Sequence, residues 1–284
     1  MKSKKQGYLM FAVGDTCIEQ ACLCAMSIKA TQSMNNVSIV TDDTIPSKYK
    51  KLFDKVINIP WNDSSLSSHY ITEHRWKLYH VTPYKETVVL DTDMLFLTDI
   101  SDYWESLANY EVFYSTNAKT YRGKNVTSDY YRKTFVANEL PMVYCAFHYF
   151  KKCDFAKQFY GVVEDITNNQ DLFYSKFAPK LTPSTYSMDI ASAIAIRVLD
   201  VEDKVTSQLS RIEFTHMKAR CQDFVDPSPS WQDKVPVYLT DNLELKIGNY
   251  KQDTILHYTE DSFVNTSMVS KYERALSLWL KKYH

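Results

Sequence analysis

Thr87-Val-Val-Leu90, Asp91-Thr92-Asp93 and Met94-Leu-Phe-Leu97 follow one another without a break, and the reading of this stretch decides the fold. Two apolar runs around an acidic pair read as strand, buried on both faces, that meets charge where it ends. Upstream, Tyr8-Leu-Met-Phe-Ala-Val13 reads as a buried strand, Ile18 to Ala30 as an amphipathic helix, and Val37-Ser-Ile-Val40 as a second strand stopped by Asp42-Asp43. Val56-Ile57-Asn58-Ile59 reads as a third strand, and Arg75 to Val81 as a helix ended by Pro83. This βαβαβ series predicts a parallel α/β sheet covered by helices, with ligands beyond the carboxyl ends of its strands. Asp15, Asp42 and Asp91 all fall at such ends.

The second half is less regular. It holds an apolar run at Pro141 to Phe150, helices near Phe155 to Val163 and Met188 to Leu199, strands near Val235 to Leu239 and Thr254 to Tyr258, and a last helix from Ser270 to Lys282. With no linker, repeat or low-complexity tract, the 284 residues read as one domain: residues 1–100 a nucleotide-binding half, 101–284 an acceptor-side half with a C-terminal helix. Hydrophobic residues at 45% and charged residues at 24% suit an ordinary globular chain. No run approaches the roughly 20 apolar residues of a membrane span, and the basic start, Met1 to Gly7, leads into no export signal. Cys17, Cys22, Cys24, Cys145, Cys153 and Cys221 lack the spacing of a metal or disulfide scaffold, so reduced thiols in a cytoplasmic setting are expected. Only 5 glycines argue against a glycine-rich phosphate loop, and so against a nucleotidyltransferase. The net charge of -1 leaves partners to be argued locally.

Residues two apart on a strand share a side, so Asp91 and Asp93 can present two carboxylates to one point. Two hard oxygen donors there suit Mg²⁺ or Mn²⁺, with diphosphate oxygens completing the shell. The bland alternative is an acidic pair that merely ends a strand. A glycosidase pair would need carboxyl groups roughly 5 Å or more apart, flanking the scissile bond.

Five phrases, in order, carry a resemblance: Phe11-Ala-Val-Gly-Asp15, Arg75-Trp-Lys-Leu78, Leu90-Asp-Thr-Asp-Met94, Ser187-Met-Asp-Ile190 and Ile255-Leu-His-Tyr-Thr259. The chain resembles the A-type glycosyltransferase fold, a single Rossmann-like mixed sheet flanked by helices, and most of all the retaining family of glycogenin and bacterial lipopolysaccharide galactosyltransferases. The resemblance implies a transferase that moves a sugar, with retention, from a UDP-linked donor to an acceptor hydroxyl. It implies Mn²⁺ or Mg²⁺ held by Asp91, Asp93 and His257, and a donor nucleoside along Ala12, Val13, Asp15 and Asp42. It places Lys77 at the diphosphate and sugar, and Asp189 at the sugar hydroxyls and the transition state. Each has a plainer alternative: a core histidine, an N-cap at Asp15, a surface lysine, and an Asp in a helix's first turn. The family's Lys-Pro-Trp after the histidine is absent, since Glu260-Asp-Ser-Phe-Val-Asn stands there and the next lysine is Lys271. The family's Asn-x-Gly likewise has no counterpart in Met142-Val-Tyr-Cys-Ala146.

Lys119, Arg122, Lys124, Arg132 and Lys133 alternate with Tyr121, Tyr130 and Tyr131, and His216, Lys218 and Arg220 form a second basic group. Such interleaving suits nucleic-acid phosphates and stacked bases, though a solvated loop would look the same. The compact, unanchored build also resembles small bacteriophage glycosyltransferases, some of which put sugars on hydroxymethylated DNA bases. This points to the host cytoplasm and to modified DNA as an acceptor beside a saccharide. A non-catalytic nucleotide-sugar-binding module is the other alternative.

Overall fold

The computed structural model describes residues 5–61, 71–126, 132–207, 211–224, 226, 228 and 230–283. Its largest sheet has the order β3-β2-β1-β4-β8-β6, formed by β1 (Gln6–Phe11), β2 (Val37–Val40), β3 (Lys55–Ile57), β4 (Glu86–Leu90), β6 (Val112–Ser115) and β8 (Tyr144–Lys151). The strands β1 to β4 run parallel, while β8 is antiparallel to both of its neighbours. A second sheet, β5-β13-β9-β7, joins β5 (Met94–Phe96), β7 (Asn117–Lys119), β9 (Glu213–His216) and β13 (Ile255–His257). A small antiparallel sheet of β10 (Val237–Leu239), β11 (Leu245–Ile247) and β12 (Tyr250–Gln252) follows it.

The strand sequences show why the main sheet is central. Along β1, Tyr8 and Met10 enter one core and Leu9 the other, and along β4, Val88 and Leu90 are opposed by Val89. Both faces are buried, so the strands read as unbroken apolar runs rather than alternating ones. The helices Asp15–Thr31 and Thr266–Tyr283 border the first core; Asp154–Asn168 and Met188–Leu199 lie in the second.

The structure differs from the sequence expectation at the decisive stretch. Thr87–Leu97 is not one strand: β4 ends at Leu90, β5 begins at Met94, and the two belong to different sheets. Asp91, Thr92 and Asp93 form the corner between them. Thr92 turns inward, where its hydroxyl meets Gln20 on the first helix at 3.1 Å, leaving the aspartates on the other side of the turn. The Arg75–Val81 helix is also divided, a 3-10 turn over Ile71–Lys77 running into a short α-helical turn, Leu78–Val81.

One glycine is dictated by close approach. A β-carbon at Gly7 would stand within 2.6 Å of ring carbons of Tyr84, which is buried and fixed by a 2.7 Å bond to Ser38. Overpacking a core in this way costs about 1–3 kcal/mol. Gly7→Ala is therefore expected to lower stability by about that amount, measurable as a reduced midpoint in urea.

Candidate metal centre and cleft

Three chain segments meet at the corner after β4. Leu90 pairs with Phe147, and the Asp91 amide donates to the Ala146 carbonyl at 3.0 Å, which pins the corner to β8. Antiparallel pairing of β5 with β13 sets His257 opposite Met94, and the Tyr258 amide donates to the Asp93 carbonyl at 3.1 Å. A residue 164 positions away in the chain is thus delivered to the acidic pair. His257 Nε2 stands 3.0 Å from Asp93 Oδ2 and 3.7 Å from Asp91 Oδ2. One ligand atom from each of the three lies within 4.8 Å of the others, a group able to hold a metal ion. The donor set, two carboxylates and one imidazole, fits Mn²⁺ or Mg²⁺ with positions left for phosphate oxygens.

Electrostatics follow from burial. Burial raises the Asp91 carboxyl above its ordinary value, Arg75 pulls it down, and the Asp93 charge pushes it up again. Burial works the same way on Asp93, but the His257 imidazole outweighs it and holds Asp93 low. His257 is pulled down by burial, yet Asp93 and then Asp91 leave it raised. The two carboxylates and the imidazole share one half-buried corner, which is where a divalent cation would be held.

Arg75, to which the sequence reading assigns no role beyond its place in the Arg75-Trp-Lys-Leu78 phrase, is the cation that meets the acidic corner. Its guanidinium bonds Asp91 and donates to the Cys145 carbonyl at 3.2 Å, whereas the Lys77 amine lies 5.5 Å from the ring centroids of Trp61 and of Trp76. Side chains two apart on a tight helical turn point in different directions. The sequence carries both cations but no signal for how the turn is rotated.

A cleft of about 600 Å³ opens beside the metal group, lined among others by Tyr144, Tyr186, Asp189, His216 and Lys218. Asp189 sits in the first turn of the helix Met188–Leu199. It accepts from the Cys145 amide at 2.8 Å and from Arg132 at 2.7 Å. Burial alone would raise its carboxyl, but Arg132 and the Cys145 amide hold it below the ordinary value. A second hollow of about 270 Å³ shares Arg75, Asp91 and Asp93 and extends to Phe11 and Cys17. At the end of β1, Ala12 is buried, Val13 half-buried and Asp15 exposed, with Gly14 rather than Asp15 in the N-cap position. Asp42 accepts from the Ile59 amide at 2.8 Å.

The basic segment differs from expectation. Arg132 is withdrawn from any surface: it is 5% exposed, pairs with Asp189, and lies between the rings of Phe135 and Tyr144 at 3.9 and 4.1 Å. Tyr121 is buried and stacks on Phe224, so it offers no face to a base. Lys119 is tied to Glu213 at 2.6 Å. Arg122, Lys124 and Lys133 stand exposed, and Tyr130 and Tyr131 lie outside the described residues. The long-range partners that removed Arg132 and Tyr121 leave no local mark in sequence.

The segment after His257 is held from below. Trp231, fully buried, donates from its indole to the Tyr258 carbonyl at 3.0 Å, and its amide donates to Glu260 at 3.2 Å. Thr259 between them has φ of 64°, the left-handed region, and lines the cleft. A β-branched residue there costs roughly 1–2 kcal/mol. Thr259→Gly is expected to stabilise the fold by about 1 kcal/mol, raising the melting temperature by about 2 °C.

All six cysteines are free, and among the described residues no helix is long and apolar enough to cross a membrane.

No family model matches the chain, and no curated protein matches it. Among solved structures, it is similar to mouse xyloside xylosyltransferase 1 in its apo form, with a TM-score of 0.51 at 10% identity over 92% of this chain and 99% of that one. The glycosyltransferase GlyE of Streptococcus pneumoniae TIGR4 gives 0.48 at 13% identity over 99% of this chain, which spans 63% of GlyE. Together with the mixed sheet and its flanking helices, the likeness to the xylosyltransferase makes the fold that of the A-type glycosyltransferases.

Proposed function

We propose that the protein is a metal-dependent glycosyltransferase that moves a sugar from a nucleotide diphosphate, UDP-linked, to an acceptor hydroxyl with retention. The observation that carries this reading is the group of Asp91, Asp93 and His257 lining the cleft on this fold. Mn²⁺ or Mg²⁺, when bound there, supplies Lewis-acid stabilisation of the charge that develops on the leaving diphosphate. In the reaction the bond from the sugar's anomeric carbon to the diphosphate oxygen breaks, its electron pair staying on that oxygen. The acceptor hydroxyl oxygen bonds to the same carbon on the face that the diphosphate leaves, and its proton passes to the departing diphosphate oxygen. Asp189, held ionised by Arg132, faces the sugar's side of the cleft as a negative charge beside the oxocarbenium-like centre. The smaller hollow at Phe11 and Cys17 takes the nucleoside, with Ala12, Val13, Asp15 and Asp42 around the end of β1, and Lys77, whose amine rests near Trp61 and Trp76, is assigned to the diphosphate and sugar. The free thiols support a cytoplasmic setting.

For the acceptor, the burial of Arg132 and Tyr121 and the engagement of Lys119 favour a saccharide over modified DNA. Calorimetry with UDP-glucose, UDP-galactose and other nucleotide sugars, with and without Mn²⁺, tests the donor. Metal-dependent binding of one of them is expected, and binding of none would end the transferase reading. Binding without turnover on any acceptor would instead point to a non-catalytic module. The anomeric configuration of the product, read by NMR, checks retention. A gel shift against hydroxymethylated duplex that vanishes in Arg122→Ala/Lys124→Ala would restore the DNA acceptor.

A further inference from the structure

We propose that Gln20 is a positioning residue of the metal centre: its buried amide ties the Asp91–Asp93 corner to the segment that follows His257 and so holds the three ligand groups together, an inference that rests on the metal-site reading above. The helix that carries it, Asp15–Thr31, is buried at every position from Gln20 to Lys29, and a polar side chain in such a place needs hydrogen-bond partners. Ser27 and Gln32 find theirs on the backbone of the chain that leaves the corner. Ser27 accepts from the Phe96 amide at 3.0 Å, and Gln32 accepts from the Ile100 amide at 3.0 Å and donates to the Thr98 carbonyl at 2.6 Å. Gln20, two helical turns before Ser27 and so on the same helix face, meets side chains instead.

Gln20 is 5% exposed. Its Nε2 donates to Asp261 Oδ1 at 2.8 Å, and its Oε1 accepts from the Thr92 hydroxyl at 3.1 Å. An ionised carboxylate only accepts, so the amide nitrogen belongs to Asp261 and the amide oxygen is left for Thr92. The two partners bracket the metal group. Thr92 stands between Asp91 and Asp93, and Asp261 opens the 3-10 turn Asp261–Phe263 that follows His257. The Tyr258–Asp93 bond joins these two segments through the backbone; Gln20 joins them again through side chains, from a third element. Gln20 and Asp261 line the smaller hollow together with Asp91, Thr92 and Asp93, so the bridge stands beside the metal group rather than behind a layer of core. Partners that orient metal ligands are typically worth roughly 10–100-fold in metal affinity.

The test follows Mn²⁺ uptake by the loss of its free-ion EPR signal, with thermal unfolding in the absence of metal, in Gln20→Glu, Asp261→Ala, Asp261→Asn and Gln20→Glu/Asp261→Asn. Gln20→Glu sets two carboxylates against each other and is expected to weaken Mn²⁺ by about tenfold or more, even though the added charge alone would favour a cation. Asp261→Ala cuts the bridge from its exposed end and should show a similar loss with little change in melting temperature, whereas Asp261→Asn keeps an acceptor for Gln20 and should stay near the wild type. The double variant exchanges the two groups at unchanged net charge and should recover most of the affinity. Wild-type affinity in both Gln20→Glu and Asp261→Ala, a fall in melting temperature without a change in Mn²⁺ affinity, or no recovery in the double variant would overturn the assignment while leaving the metal site intact. Equal losses in Asp261→Ala and Asp261→Asn would trace the effect to the Asp261 charge and overturn it as well. A wild-type protein that takes up no Mn²⁺, alone or with UDP, would remove the metal-site reading and this inference with it.

Discussion

Asp93→Asn is expected to abolish Mn²⁺-dependent donor binding and to lower turnover about a thousandfold, while Asp91→Asn does the same and also destabilises the fold. The shared loss follows from removing one of two carboxylates from the metal group. Lewis-acid assistance is worth several kcal/mol, and each factor of ten in rate corresponds to about 1.4 kcal/mol. The difference between the two comes from their partners. Asp93 faces His257, which can shed its proton. Asp91 faces Arg75, which is buried and keeps its charge. Removing one member of a buried ion pair costs about 3–5 kcal/mol. The Asp91 side chain is 27% exposed and Asn keeps an acceptor for Arg75, so a value at or below the lower end is expected. Calorimetry with Mn²⁺ and thermal unfolding without it separate the effects. Equal melting temperatures in the two variants would contradict the pairing.

Arg132→Met is expected to cost about 3 kcal/mol of stability or somewhat less, and most of the activity, for a different reason. Asp189, whose side chain is 25% exposed, would then be a half-buried carboxylate without its countercharge. The double variant Arg132→Met/Asp189→Leu removes both charges and should regain much of the stability but none of the activity. Such a split separates a positioning contact from a merely structural one. The pair also sets a pH dependence. The folded-state pKa of Asp189 is depressed, through Arg132 and the Cys145 amide acting against burial. Its contribution is therefore present above the ordinary carboxylate value and is lost as the pH falls through the lowered one. Wild-type stability should drop on acidification across that interval more steeply than that of the double variant, as read from urea midpoints at successive pH values.

What could be read in sequence was what depends on neighbours along the chain. Apolar runs at Tyr8 to Val13 and Thr87 to Leu90 mark strands buried on both faces, and the Met188–Leu199 helix lies where the pattern put it. Even the local reading failed at one point: the apolar character of Met94 to Leu97 continues that of Thr87 to Leu90, yet the chain turns between them into a second sheet. Hydrophobic pattern reports burial, and both segments are buried; it does not report which sheet does the burying.

Beyond the grouping of Asp91, Asp93 and His257, which the resemblance named, the partners of the charged side chains were not legible. Arg75 meets Asp91, and Lys77 lies near Trp61 and Trp76, because a helical turn is rotated that way. Arg132 leaves a basic, tyrosine-rich stretch to pair with Asp189, 57 residues on, because the rings of Phe135 and Tyr144 make a slot for its guanidinium.

The chain's local order thus determined an α/β sheet with an acidic corner at a strand's carboxyl end, since strand and turn preferences act between residues a few positions apart. Only the tertiary structure decided what surrounds that corner. His257, Arg75, Asp189 and Lys218 arrive by strand pairing and side-chain packing between distant segments, and an ion pair forms with whichever charge the packing brings within reach.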